Sequence, residues 1–253
     1  MASINAKGLT SNSLKLIAMV AMTIDHFTSV VFPDYPKDAG ILLMHIIGRL
    51  AAPIFWFFIA EGYFYTSSFR KYIGRILVFT IISHFAYNFA FGIPFIPFQS
   101  SVFNQTSIFW GFLLALIALK VQDLNHPAAK PWVKGIVTPL CIVLAFPADW
   151  SSPGAWVVIS NSNNRGNFKK QMAYMMLFIA IYAAVYFIFI DKVYGLMQMA
   201  VVLSIPLLRL YNGERGKAKG MKWFFYCYYP LHLFVCGIVR VALHGNVGVM
   251  IGG

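Results

Sequence analysis

Polar positions are sparse along this chain and fall between long apolar stretches. Apolar windows run over about 13–32, 41–66, 72–92, 106–121, 132–147, 171–190, 193–211 and 221–243. A helix rises about 1.5 Å per residue and a bilayer core is roughly 30 Å thick, so these windows read as membrane-spanning helices. A further apolar run at 154–162 is too short to cross alone unless flanking residues extend it. Pro53, Pro139 and Pro206 fall inside predicted spans and are expected to kink them. The pattern predicts an all-α, polytopic integral membrane helical bundle of eight or nine crossings. No second soluble domain, low-complexity tract or internal repeat interrupts it, so residues 1–253 read as one domain.

Composition agrees. Of 253 residues 59% are hydrophobic and 11% charged, with a mean hydropathy of +0.69. Too little polar surface remains to cover a soluble domain, which excludes a disordered chain, a secreted disulfide scaffold and an ordinary cytosolic enzyme. Residues 13–32 resemble a signal sequence. However, Asp25-His26 interrupts them and no small-residue cleavage site follows, so a retained first helix is expected. Cys141, Cys227 and Cys236 all sit in apolar runs and read as packing residues.

The net charge of +12 changes the picture only by giving an orientation. One set of segments carries Lys7, Lys15, Arg70, Lys71, Arg75, Lys120, Lys130, Lys134, Arg165, Lys169, Lys170, Arg209, Arg215, Lys217, Lys219 and Lys222, sixteen of the twenty basic residues. The opposite set carries Lys37, Lys192 and Arg240, and Arg49 is left inside a span. Cytoplasmic loops are the basic ones, so the N-terminus is expected in the cytoplasm and a nine-pass chain would end outside. This alternation requires 154–162 to return the chain to the basic side. No nucleic-acid partner is expected; the location is an inner, cytoplasmic-type plasma membrane.

Ionisable groups within spans are costly and therefore candidates for function. Here they are Asp25, His26, His45, Arg49, Glu61, His84 and His232, with Asp149 at the outer edge of the fifth span. Counting residues from the span ends places His26, Arg49, His84, Asn88 and His232 in one layer near mid-membrane, with Glu61 apart near the cytoplasmic end. Thr80, His84 and Asn88 form one i, i+4, i+8 stripe; Tyr228, His232 and Cys236 form another. Asp25 and His26 are about 100° apart on a regular helix and do not face each other. Arg49 reads as the counter-ion of Asp25 or Glu61, and His45 as an interfacial residue. No metal is expected, since no span carries a His-x-x-x-His pair and the cysteines do not cluster. In the basic loops, Asn212-Gly-Glu-Arg-Gly-Lys217 offers two glycines with Arg215 and Lys217 beside them. That suits a phosphorylated ligand.

The motifs taken in order resemble the TraX family, membrane proteins associated with N-terminal acetylation of conjugative pilin. The resemblance rests on Leu14-Lys-Leu-Ile-Ala-Met, Ile24-Asp-His26, Ile47-Gly-Arg-Leu-Ala-Ala-Pro-Ile-Phe55 with Glu61-Gly62, Ala148-Asp149, Tyr211-Asn-Gly-Glu-Arg-Gly216, Phe225-Tyr226 and Tyr229-Pro-Leu-His232. It departs at Ser83-His84 and Asn88, where the family tends to carry carboxylates, and at Trp150-Ser-Ser-Pro. The resemblance implies a multi-pass acyltransferase using acetyl-CoA, and places Asp25, His26, Arg49, Glu61, Asp149, Asn212, Arg215 and His232 on matched positions.

Residues and resemblance together suggest a scheme. Acetyl-CoA would bind from the cytoplasm on Asn212, Arg215, Lys217 and Tyr229, its pantetheine arm reaching the mid-membrane layer. His26, or else His232, would take a proton from an amine or hydroxyl acceptor, which could be a peptide N-terminus, a glycan or a small molecule. A histidine could instead carry the acetyl group transiently. Arg49 or Asn88 would stabilise the oxyanion, and Asp25 or Glu61 would orient partners or balance charge. His84, Asn88 and Asp149 would support the site. The same buried groups would also suit a proton-coupled transporter or flippase, or a non-catalytic membrane assembly factor.

Overall fold

A computed structural model describes residues 8–123, 131–218 and 220–248. Lys7, Lys130 and Lys219 of the basic segments lie outside the described residues. The helices are α1 (Ser11–Val31), α2 (Ala39–Gly48), α3 (Ala51–Tyr65), α4 (Phe69–Phe91), α5 (Ile108–Gln122), α6 (Pro131–Leu144), α7 (Ser151–Asn163), α8 (Phe168–Phe189), α9 (Lys192–Met197), α10 (Ser204–Arg209) and α11 (Met221–His244), with a 3₁₀ stretch at Gln198–Leu203 between α9 and α10. Among the described residues there is no strand, only the isolated bridges Leu9–Tyr211 and Thr106–Ala148. Among the described residues six helices are long and apolar enough to cross a membrane, counting α2–α3 and α9–α10 as one each; α5 and α6 are shorter apolar helices.

Short polar residues start several of these helices by satisfying amides that the first turn leaves open. Thr10, Asp38, Ser68, Asn167 and Asp191 cap α1, α2, α4, α8 and α9, each at the foot of an apolar run. Burial alone would raise the Asp191 carboxyl. The Tyr194 amide, Lys37 and the Val193 amide outweigh it and hold Asp191 below the ordinary carboxylate range.

The passes alternate end to end. At one end Ser11 and Asn12 donate backbone N–H groups to Glu214 and Arg215 carbonyls (2.8 and 3.2 Å), Arg165 pairs with Glu61, and Lys134 Nζ donates to the Gln122 carbonyl at 2.7 Å. At the other end Lys37 pairs with Asp191 at 3.1 Å, Tyr194 donates to the Pro36 carbonyl, and His244 donates to the Val30 carbonyl. The first end gathers Lys15, Arg75, Lys134, Arg165, Arg215 and Lys222, and is called the basic end below. The return of the chain over 154–162 is made by α7, a 13-residue helix spanning about 20 Å at helical rise. Ser152 Oγ donates to the Ile142 carbonyl near one end and Asn163 Nδ2 to Gln122 Oε1 near the other. Val157, Val158 and Ile159 of α7 are buried, so neighbouring helices cover this short pass. By contrast, Leu77, Val78, Ile81, Ile82 and Phe85 of α4 are exposed, as a lipid-facing surface would be.

The irregular points differ from the expected proline kinks. α2 and α3 join through a tightened turn at Arg49–Leu50, where Arg49 N reaches both the His45 and Ile46 carbonyls. Pro53 follows in the first turn of α3, where a missing N–H costs nothing. Pro206 likewise falls in the first turn of α10, after the 3₁₀ stretch. Pro139 and Pro230 do lie inside α6 and α11. Gly195 lets α9 close onto α8: a Cβ there would stand 2.6 Å from the Phe187 Cα, which is backbone and cannot swing aside. Gly195→Ala should therefore destabilise by about 1–3 kcal/mol. A detergent thermal-shift assay checks this, the expected result being a lower midpoint than the wild type.

Candidate functional site

The centre of the bundle is organised by one carboxylate. Asp25 of α1 accepts from Arg49 Nη2 through both oxygens, at 2.8 and 2.9 Å, and from His45 Nδ1 at 2.7 Å. Arg49 also donates to the His45 carbonyl and, at 2.9 Å, to Gln198 Oε1. Gln198 opens the 3₁₀ stretch, so the two interrupted helical passes meet at their irregular points. The Arg49 guanidinium lies 5.3 Å from the Trp150 ring. Trp150 and Ser151 hold φ of 64° and 50°, left-handed values that non-glycine residues rarely adopt, where the chain turns into α7. Gly48 is required beside this cluster, because a Cβ would collide with the Asp25 side chain. His45 is therefore not interfacial. It is 1% exposed and belongs to the Asp25 cluster. Arg49 is the Asp25 counter-ion, with Nε, Nη1 and Nη2 directed at the His45 carbonyl, Gln198 and Asp25.

On the neighbouring turn His26 points elsewhere, as the 100° spacing from Asp25 requires. Its Nδ1 lies 2.8 Å from Nε2 of His232 on α11. The two rings are nearly parallel, and Phe91 and Tyr229 pack edge-on against His26. His232 Nδ1 meets the Tyr228 carbonyl at 3.1 Å, and the Tyr228 ring stacks on His232. Thr23 donates to the Met19 carbonyl and lies 2.7 Å from the Tyr228 hydroxyl, so that hydroxyl donates to Thr23. Among the described residues His26 Nε2 has no hydrogen-bond partner.

Two cavities meet here. A small one of about 30 Å³ is lined by Asp25, His26, Tyr87, Asp149, Trp150 and Tyr229 among others. Asp149 Oδ1 and the Tyr87 hydroxyl are buried without a hydrogen-bond partner. A larger cavity of about 310 Å³ lies toward the basic end. Among the described residues Lys15, Arg75, Arg215 and Lys222 line it, no acidic residue does, and Phe58, Phe109, Phe112 and Tyr226 are among its apolar walls. Met22, Phe55, Ile108 and Tyr229 line both cavities and so form the partition between them.

The expected mid-membrane layer is thus only partly assembled. His26 and His232 meet. His84 does not join them: its Nδ1 contacts Thr106 Oγ1 at 2.9 Å and its Nε2 donates to the Phe95 carbonyl at 2.8 Å. Asn88 donates to the Pro94 carbonyl. Both tie the 93–106 connection to α4 and act on the chamber only through that loop. Glu61 is apart, as expected, in a two-point pair with Arg165 at 2.9 and 3.2 Å. In the 212–217 loop only Arg215 reaches a cavity wall. Asn212 instead shapes the loop by accepting from Glu214 N, and Lys217 is exposed and lines neither cavity. Lys15, Arg75 and Lys222 are the cavity cations that sequence reasoning assigned to orientation alone. They lie four, six and one residues in from the starts of α1, α4 and α11, and that position just inside the helices was the available signal. Among the described residues no group of three His, Cys, Asp or Glu could hold a metal ion.

Asp25→Ala would leave Arg49 buried without its charge partner, which typically costs about 3–5 kcal/mol. The paired change Asp25→Ala/Arg49→Ala should cost less than the sum of the two single changes. Recovery of monodisperse protein and its thermal midpoint in detergent measure this. Additive losses would show that the pair is not coupled.

A family model described as "TraX protein" matches residues 10–240. The chain is also 27% identical over 232 residues to a probable fimbrial assembly protein, FimC of serogroup H1, from Dichelobacter nodosus, covering 87% of this chain and 91% of that one. It is 38% identical over 69 residues to an uncharacterized protein of Rickettsia prowazekii (strain Madrid E), covering 27% of this chain and 23% of that one. No solved structure matches. The family match takes in every residue of the Asp25 cluster, the histidine pair and both cavity linings, and the chain belongs to the TraX family.

Proposed function

We propose that this chain is a membrane-embedded acetyltransferase. It takes an acetyl group from acetyl-CoA bound at the basic end and passes it to an amine within the bundle. The observation that carries the reading is the junction of the two cavities: an acid-free, four-cation cavity abuts, through a shared wall, a chamber holding a histidine with an unpartnered ring nitrogen. Phosphates pair well with Lys and Arg, and a thin acyl-pantetheine arm suits an apolar passage. The basic end then faces the cytoplasm, where acetyl-CoA is made, and the nine passes cross the inner membrane. Lys15, Arg75, Arg215 and Lys222 would hold the phosphates, and Met22, Phe55, Ile108 and Tyr229 the arm.

In the chamber His26 accepts the proton of the attacking amine. The amine nitrogen bonds to the thioester carbonyl carbon, the C–S bond breaks, and the departing sulfur takes the proton back from His26 to leave as thiol. Asp149 Oδ1, buried and without a partner, favours an amine over a hydroxyl, because a neutral amine keeps a second N–H to donate to it while His26 takes the first. The resemblance to the pilin-modifying family and the printed name of the Dichelobacter relative support an exported fimbrial or pilus subunit N-terminus as acceptor.

His26→Ala should abolish thiol release from acetyl-CoA by the purified protein while leaving CoA binding within about twofold, since His26 lines only the small chamber. Wild-type release by the variant would remove His26 from the mechanism. Arg215→Ala/Lys222→Ala should weaken CoA binding by roughly tenfold or more, as expected for two charge-assisted contacts, and steepen no salt dependence that remains. Calorimetric titration at two salt concentrations measures it. Absence of CoA binding by folded wild type, with proton-dependent uptake into vesicles, would support the transporter reading instead.

A further inference from the structure

The histidine pair contains a proton assignment that follows from its contacts. A carbonyl oxygen only accepts, so the contact from His232 Nδ1 to the Tyr228 carbonyl puts a proton on that nitrogen. A neutral His232 then offers a lone pair at Nε2. That atom lies 2.8 Å from His26 Nδ1, a separation that requires one proton between the two nitrogens. The proton must come from His26. A neutral His26 protonated at Nδ1 has its lone pair at Nε2, the nitrogen without a partner.

The surroundings keep both rings in this arrangement. Among the described residues no carboxylate hydrogen-bonds either ring; both Asp25 oxygens are engaged by Arg49 and one also by His45. Phe91 and Tyr229 edges pack on His26, and Tyr228, itself held by Thr23, stacks on His232. Neither ring is free to turn without losing its contacts.

We infer that His232 is a positioning residue that fixes His26 as its Nδ1–H tautomer, so that His26 presents Nε2 to the chamber as the proton acceptor. The inference rests on the reading of His26 as the base. It assigns the relay in order: the Tyr228 carbonyl fixes His232, and His232 fixes His26. When His26 takes a proton at Nε2 it becomes an imidazolium that still donates from Nδ1 to the His232 lone pair. The pair works as an oriented base without a carboxylate behind it.

The direct test is solid-state ¹⁵N NMR of the full-length protein with labelled histidine, in lipid nanodiscs near pH 7.5. Protonated and unprotonated imidazole nitrogens are distinguished by shift, and spectra of His26→Gln and His232→Gln assign the two rings. The expected result is His26 protonated at Nδ1 and bare at Nε2, with His232 protonated at Nδ1. His26 protonated at Nε2, or either ring doubly protonated, overturns the inference. This readout does not use acetyl transfer, so loss of the acetyltransferase reading would leave the tautomer result intact and recognisable. The kinetic counterpart is a pair of variants. His232→Gln retains an acceptor oxygen and should keep kcat within about tenfold. His232→Phe should lose on the order of a hundredfold in kcat with KM for acetyl-CoA unchanged. Equal losses in both variants, or wild-type kcat in His232→Phe, would show that His232 only packs.

Discussion

The buried pair of Asp25 and Arg49 is the constraint on which the rest of this structure depends. A guanidinium 1% exposed inside an apolar bundle is tolerable only if its charge is met and its donors are filled. Asp25 meets the charge at two points, and the His45 carbonyl and Gln198 take further donors. Filling these contacts fixes three separate passes against one another: α1, the α2–α3 joint and the 3₁₀ stretch between α9 and α10. It also accounts for Gly48, since only a residue without Cβ lets the α2–α3 pass come close enough to Asp25. Pairs of this kind add little net stability compared with apolar packing, but they are costly to break. That is a means of specifying one arrangement of many similar apolar helices.

Once Asp25 is committed in this way, its neighbour His26 is free of it. The helical spacing turns His26 toward α11, where His232 is waiting, and toward the chamber that Asp149 enters from the turn before α7. Asp149 is placed by backbone contacts, its own N–H donating to the Thr106 carbonyl, so the 93–106 connection and the Pro147–Asp149 turn act as one unit. His84 and Asn88 serve that unit by satisfying the Phe95 and Pro94 carbonyls. In an apolar environment those carbonyls would otherwise lack partners. The chamber therefore owes its shape on one side to an ion pair and on the other to side chains that tie down a loop.

Much of this was legible in the sequence. The long spans follow from apolar windows and helical rise. The return of the chain over 154–162 follows from charge alternation, and α7 makes it, bringing Arg165 back beside Glu61. The separation of Asp25 from His26 follows from 100° per residue. What sequence could not give is which partners meet across helices of similar depth. Depth counting placed His84 beside His26, but rotation about α4 decides the matter and sends it to Thr106 and the Phe95 carbonyl. His45 looked interfacial because it lies one turn outside Arg49; its burial depends on Tyr194 packing over it from a pass nearly 150 residues later. The cavity cations Lys15, Arg75 and Lys222 were counted as topology signals, because the same residue types serve both purposes and only a shared cavity separates them.

The central claim is that an acyl-pantetheine arm enters from the basic end and delivers its acyl carbon to the chamber at His26. A photoreactive acyl-CoA, with the reactive group on the acyl chain, tests it most directly when labelled sites are mapped by peptide mass spectrometry. The account predicts labelling confined to chamber and partition residues, such as Met22, Tyr87 and Tyr229, and suppressed by excess CoA. Labelling confined to surface loops at either end, or insensitive to CoA, would contradict it.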